Sequence, residues 1–220
     1  MKILIACEES QRICEAFREL GCEAYSCDII ECGGGHLEWH IQSDVLPLLN
    51  GDVTFMTADG ANHNVAGPWD LIIAHPPCTY LTNTGNRWFN EEKYGDKARE
   101  RKRLREEAAD FFMEFARTNA KHWAIENPVG WMNTHYRKPD QIIQPYEFGD
   151  PARKTTCLWL YNLPLLKPTK IVEPKLQYLK SGKTMDLEYS NASKKERAKL
   201  RSRTYPGIAK AIADQWSKIL

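Results

Sequence analysis

WDLIIAHPPCTYLT, residues Trp69 to Thr82, is the stretch on which the fold turns. Asp70 to Ala74 is a short apolar run rich in Leu and Ile and closed by a double proline, which predicts a buried strand that stops abruptly. Pro76 and Pro77 fix two successive φ angles and remove two backbone donors, so the chain carrying Cys78 is held stiff without sheet pairing. Stiffness there suits a positioned nucleophile. The competing reading is that Cys78 is one more buried packing residue, because free cysteine is among the most buried residue types.

Upstream, Lys2 to Cys7 predicts a first strand. Ser10 then caps a helix whose Ile13, Ala16, Phe17 and Leu20 share one face before Gly21 ends it. Glu23 to Ile29 is a second strand closing on Asp28, and Ile41 to Asp44 a third closing on Asp44. Asp70 to Ala74 is then the fourth strand. A long helix from about Asp96 to Thr118 buries Leu104, Ala108, Phe111, Phe112 and Phe115, and its first turns carry a basic run. His122 to Ile125 predicts a fifth strand ending in Glu126, Asn127 and Pro128. Thr155 to Leu160 predicts a later strand paired hairpin-like near Gln141 to Gln144. Pro206 opens a final helix with Ile208, Ile212, Trp216 and Ile219 on one face.

Strands alternating with helices from the first residue predict an α/β fold, a doubly wound, mostly parallel, Rossmann-like sheet. At 220 residues the chain suits a single domain, 1–220, with a small irregular, proline-dotted region near 163–203. Charged residues at 27% and hydrophobic ones at 42% are ordinary globular proportions, and no apolar run approaches the ~18 residues of a membrane span. MKILIACEES begins as a strand and lacks the features of a signal peptide, so a cytoplasmic, membrane-free location is expected.

The seven cysteines are odd in number and form no CxxC pair, which points to reduced thiols. Cys7, Cys14, Cys22 and Cys157 read as core filler. Cys27, Cys32, His36 and His40 have spacings near those of small zinc sites. Cys27 is expected inside a strand, however, and Gly33 to Gly35 as a flexible loop, so no metal is expected. The net charge of only +1 excludes a whole-molecule basic field as an argument for nucleic acid. Two local runs remain, KARERKRLR (Lys97 to Arg105) and KKERAKLRSR (Lys194 to Arg203). Lys102, Arg103 and Arg105 are the candidate phosphate contacts.

In a doubly wound sheet, ligands bind at the carboxyl ends of the strands. The predicted strands end, in turn, at Glu8 and Glu9, at Asp28, at Asp44, at Cys78 and at Glu126. An acid after the second strand is where such folds hold a ribose, which assigns Asp28. The first turn, ACEESQRICEAF, has no glycine, so a pyrophosphate is not expected. A ribose without a pyrophosphate fits S-adenosylmethionine, with Glu8 or Glu9 facing its positive charge. Cys78 and Glu126 then suit addition to a pyrimidine ring. A thiolate of lowered pKa attacks carbon 6, while a protonated carboxyl at nitrogen 3 stabilises the developing charge.

The sequence here resembles the cytosine-5 DNA methyltransferases, most closely the short phage and prophage type. Pro77-Cys78 matches the family's nucleophile motif and Glu126-Asn127, in AIENP, its Glu-Asn motif. Asp28 in SCDI matches the ribose-binding acid, and Asp44-Val45 in SDV the contact to the adenine end. Lys154-Thr155 sits where the family has a basic motif touching the target base, and Thr204 to Ala213 resembles its closing helix. The resemblance implies a class I S-adenosylmethionine-dependent methyltransferase working on flipped cytosines of double-stranded DNA in a bacterial or phage-infected cell. Its implied catalytic residues are Cys78, Glu126 and Lys154, with Lys154 also touching nucleic acid. Its implied cofactor residues are Glu8, Glu9, Ser10, Asp28, Ile29, Asp44, Val45 and Pro76.

The chain departs from that pattern in three places. Glu8, Glu9, Ser10 and Gln11 stand where glycines are usual. Thr79 replaces a glutamine after the nucleophile. Only about forty residues separate the Thr155 to Leu160 strand from the final helix, so a large target-recognition domain is absent from the stretch where relatives carry it. The alternatives are the same chemistry on RNA or a free pyrimidine nucleotide, an amino-group DNA methyltransferase, and a non-catalytic nucleic-acid-binding module.

Overall fold

The structure is a computed structural model that describes residues 1–178, 182, 184–187 and 193–219. The remaining parts of the expected irregular region lie outside the described residues, as do the side chains of 194, 195, 198 and 199 in the second basic run. In chain order the first half comprises β1 (Lys2–Ala6), α1 (Arg12–Glu19), β2 (Glu23–Asp28), β3 (His40–Gln42), β4 (Val53–Met56), β5 (Asn62–Val65) and β6 (Leu71–Ala74). Then come α2 (Glu91–Tyr94), α3 (Asp96–Ala116), β7 (His122–Pro128), α4 (Met132–His135), β8 (Gln141–Ile143) and β9 (Thr156–Tyr161). A hairpin of β10 (Leu176–Tyr178) and β11 (Thr184–Asp186) precedes α5 (Lys194–Ser202) and α6 (Pro206–Trp216).

Seven strands form one sheet in the order β3-β2-β1-β6-β7-β9-β8. Every pair from β3 to β7 is parallel, whereas β9 runs antiparallel to both neighbours. The expected mostly parallel, helix-flanked α/β sheet is therefore present. Its strands read as near-continuous apolar runs because both faces are covered. Alternation along β1 sends Ile3 and Ile5 to a core shared with α1 and α6, through Ile13, Phe17, Ile208, Ile212 and Trp216. Leu4 and Ala6 point to the opposite core, where Phe112 and Phe115 of α3 pack with Trp159.

Several boundaries differ from the sequence expectation, each for a local reason. Ser10 does not cap α1. That helix starts after Gln11, and Glu8 supplies the cap. β3 stops at Gln42, so Asp44 stands in the following loop. The hairpin β4–β5 was not expected, because each strand has only four residues and β5, NHNV, carries a single apolar side chain. β7 runs through Pro128, and Glu126 lies inside it, paired in register with Leu158. On α3 the buried positions are Ala98, Arg105, Ala109, Phe112 and Phe115, with Ala108 and Phe111 partly buried against the same core and Leu104 half-buried. Ile219 lies past α6 and is exposed. Cys7 is half-buried rather than core, with a left-handed φ of 59°. Among the described residues, no helix is long and apolar enough to cross a membrane.

Candidate functional site

The strand order reverses between β1 and β6, the topological switch point at which open α/β sheets bind ligands. Cys78 belongs to the loop leaving β6 there, and it is exposed, which disposes of the packing reading. The loop is fastened almost residue by residue. Pro76 O accepts from the buried Asn127 Nδ2 at 2.8 Å. Cys78 O accepts from the N–H groups of Leu81 and Thr82 at 3.0 and 2.9 Å. Arg101 donates to Thr79 O at 3.1 Å, and Arg105 Nε to Tyr80 O at 3.0 Å. Leu81 O accepts from Trp131 N at 2.7 Å, an approach so close that a Cβ on Gly130 would lie 2.0 Å from that oxygen. The segment after Glu126 and the segment carrying Cys78 are thus one rigid unit.

Glu126 projects from β7 with its side chain 18% exposed. Its Oε2 lies 3.3 Å from His75 Nδ1 and its Oε1 3.8 Å from Lys154 Nζ, which also donates to Arg203 O at 3.3 Å. Burial pushes the Glu126 pKa up. The Lys154 charge, the His75 contact and the Thr156 hydroxyl outweigh that and hold it down at about 2. The Cys78 thiol moves the other way. Desolvation and the Glu126 charge raise its pKa, and Lys154 only partly opposes them. Both protonation states expected from sequence are therefore reversed at rest: the carboxyl is ionised and the thiol is protonated. Between the sheet and α6, a cavity of about 20 Å³ is lined by His75, Glu126, Lys154 and Thr204, with room for about one water. His75 Nε2 is buried without a protein partner.

At the ends of β1 to β3 the expected cofactor residues divide. Glu8 is buried, and its two carboxylate oxygens accept from Ile13 N and Cys14 N at 2.8 and 3.2 Å. It is a helix cap rather than a group offered to a ligand. Burial raises its pKa to about 7 against the opposing effects of His75 and those two N–H groups. Ser10 and Val45 are buried, and Pro76 serves the loop through its carbonyl. Glu9 keeps Oε2 buried and unpartnered. Asp28 accepts from Ile30 N through Oδ1 at 3.0 Å, and beside it Ile29 and Ile30 stand 75% and 58% exposed. Asp44 is exposed and accepts from Leu46 N at 3.1 Å. Asp28 and Asp44 both raise the pKa of the Cys7 thiol, after desolvation, so the three share one electrostatic neighbourhood.

Gly33 to Gly35 do not form a loose loop. Gly33 N donates to Glu9 O at 2.8 Å, and a Cβ on Gly33 would meet Glu9 Oε2 at 2.1 Å. The fully buried Gln11 clamps the segment. Its Oε1 accepts from His36 N and Cys32 Sγ, both at 3.0 Å, and its Nε2 donates to His36 O at 2.9 Å. Gln11 and Cys7 take left-handed φ values of 58° and 59°, so the turn makes without glycine the bend that glycines make elsewhere.

Of the phosphate candidates, Lys102 and Arg103 are exposed within ion pairs and only Arg105 is withdrawn from the surface. Lys102 pairs with Glu91, and Arg103 with Glu100 and Glu107. Arg105 is buried, its guanidinium 3.3 Å from the Phe89 ring centre and 4.7 Å from that of Trp131. The zinc candidates have separate partners: Cys27 donates to Ser43 O, Cys32 to Gln11, His40 contacts Ser26, and His36 stacks on Trp39. Among the described residues no group of three or more His, Cys, Asp or Glu is placed to hold a metal. Sequence reasoning missed His75, whose signal is an ionisable side chain directly before the double proline, and it gave no individual role to Gln11 or to Arg101 within the basic run.

No family model matches the chain, and no curated protein is similar to it at a significant level.

Proposed function

We propose that the protein is a class I S-adenosylmethionine-dependent methyltransferase that acts on carbon 5 of cytosine in DNA through a covalent adduct with Cys78. The observation that carries this reading is an exposed thiol on a fastened loop at the switch point, electrostatically coupled to a largely buried carboxylate and a lysine. A lone reactive cysteine has no need of that carboxylate, which raises its pKa. A thiol and carboxylate acting together on one ring do need it. The reaction requires a proton to pass from Cys78 to Glu126 as the ring binds, against the resting pKa direction of both groups, which gives a thiolate and a neutral carboxyl with no change in net charge.

The thiolate pair then forms the sulfur–carbon 6 bond as the π pair of the carbon 5–carbon 6 bond shifts toward carbon 5. The Glu126 proton is shared with ring nitrogen 3, and Lys154 balances the charge on either partner. Carbon 5 takes the methyl group and then loses its proton to a solvent water acting as base. That electron pair re-forms the double bond and expels the Cys78 thiolate. Bound S-adenosylmethionine supplies the electrophilic methyl. The donor set at the other end fits it. Asp28 has an oxygen free of protein partners for ribose hydroxyls, Ile29 and Ile30 offer exposed apolar surface to a base, and Glu9 holds an unpartnered carboxylate oxygen. Seven free cysteines suit a reducing compartment, and a cytoplasmic location is part of the same proposal.

An oligonucleotide carrying 5-fluorocytosine tests the reaction, because fluorine cannot leave as a proton does. With the donor present, wild type should form a stable covalent complex visible on a denaturing gel, and Cys78→Ser should form none. Absence of the wild-type adduct, or undiminished methylation by Cys78→Ser, overturns the covalent reading. Asp28→Ala should weaken donor binding by roughly 10- to 100-fold in calorimetry, as expected from losing charge-assisted hydrogen bonds of about 1.5 to 3 kcal/mol. An unchanged affinity removes Asp28 from the site.

A further inference from the structure

The cations around the first turns of α3 sort into two sets. Arg99, Lys102 and Arg103 are exposed, and each is paired with a carboxylate, from Asp96 and Glu91, from Glu91, and from Glu100 and Glu107 respectively. Arg87, Lys93, Lys97 and Arg101 enter no ion pair with the described residues. Three of them lie instead over aromatic rings: Arg87 is 4.7 Å from the Trp88 ring centre, Lys93 5.5 Å from that of Tyr94, and Arg101 4.9 Å from that of Tyr80. These rings and Lys97 line an open groove of about 680 Å³ beside the Cys78 loop. The carboxylates on its wall, Asp96 and Glu100, are paired with Arg99 and Arg103, which they share with Glu91 and Glu107. Trp88 is 42% exposed and meets Tyr94 at 5.0 Å with a 48° tilt, so the two rings diverge instead of covering each other.

Cations outside any ion pair, set beside one exposed ring, Trp88, and two half-buried ones, Tyr80 and Tyr94, are the composition of a surface that follows a phosphate backbone while stacking bases. In a duplex the base faces are already stacked on one another and cannot reach such rings. Tyr80 lies two residues beyond Cys78, so a strand whose target base sits at the thiol continues directly into the groove.

We infer that this groove, formed by Tyr80, Trp88, Tyr94, Lys97 and Arg101, binds the unpaired nucleotides flanking the target cytosine of a single DNA strand, which makes single-stranded DNA the substrate form. The inference rests on the proposed methyltransferase reading for the placement of the target base, and on the groove itself for the stacking. It replaces the expected grip of Lys102, Arg103 and Arg105 on duplex phosphates with a different set of residues and a different form of DNA.

Fluorescence anisotropy with a short labelled oligonucleotide, offered as single-stranded DNA, as its duplex and as single-stranded RNA, tests it. Single-stranded DNA should bind at least tenfold more tightly than duplex. The Trp88→Ala, Tyr94→Ala double variant should lose tenfold or more of that affinity with little change for duplex, and Trp88→Phe should retain most of it. Lys93→Gln with Lys97→Gln should flatten the salt dependence of single-strand binding. Thermal melting of each variant identifies any that fail to fold, and Trp88→Phe keeps the test valid if the double variant does. Equal affinity for single strand and duplex, preference for RNA, or unchanged binding by the double variant overturns the inference. Wild-type 5-fluorocytosine trapping together with unaffected variants would remove the groove and leave the methyltransferase reading standing. Groove-dependent binding without donor binding would do the reverse.

Discussion

Glu8 and Glu126 stand at the same edge of one sheet, both largely withdrawn from water, and are driven in opposite directions. Glu8, at the end of β1, has His75 and the N–H groups of α1 to answer its burial, but no lysine, and its pKa rises to about 7. Glu126, inside β7, has a lysine at 3.8 Å and a histidine at 3.3 Å, and its pKa falls to about 2. Desolvation is the largest effect in both, so burial alone does not set the charge. At Glu8 the His75 charge and two helix N–H groups offset only part of the loss of hydration, whereas at Glu126 the Lys154 charge, with His75 and Thr156, exceeds it. The two regions therefore divide the work: one carboxylate fixes the first helix, and the other is kept charged and coupled to Cys78.

The largest expected effect comes from making Glu126 resemble Glu8. Lys154→Met removes the cation, so Glu126 should titrate nearer the ordinary 4.5, and methyl transfer should fall by ~10²- to 10³-fold, as for loss of a preorganised electrostatic partner. The depressed pKa stabilises the fold above pH 4.5, a contribution lost as pH falls toward about 2. That acid limb should shrink in Lys154→Met. Denaturation curves at several acidic pH values that coincide for the two proteins would refute the assignment.

The converse change acts on Glu8. Its raised pKa makes a contribution that is fully present below pH 4.5 and is lost as pH rises from 4.5 to about 7. The wild type should lose on the order of 3 kcal/mol from this group across that window, at 1.36 kcal/mol per pKa unit. Glu8→Gln keeps one cap bond and cannot ionise, so its stability should lack that decline. Urea titrations on either side of the window decide it, and parallel pH profiles would mean that Glu8 is ionised without penalty. The smallest effect is expected where the sequence pointed to nucleic acid. Replacing Lys102 and Arg103 by Gln breaks exposed ion pairs and should change stability by less than about 1 kcal/mol, with oligonucleotide affinity little altered. A steep loss of affinity would return those residues to the binding surface.

What the sequence by itself determined is local. Apolar runs such as LIIA, helical spacing such as that of Ile13 and Phe17, and the double proline before Cys78 each depend on a few neighbouring residues. Those features carry the strand and helix order and the presentation of the thiol. Only the tertiary structure decided what spans longer separations. That Glu8 caps α1 in place of Ser10, that Gln11 clamps the glycine segment, and that Arg105 holds Tyr80 O instead of facing solvent depend on partners brought together by folding. The charge states of Glu126 and Cys78 belong to the same class. A pKa reports the hydration lost and the charges gained around a group, and the lysine that lowers Glu126 and partly opposes the rise at Cys78 lies on a distant part of the chain.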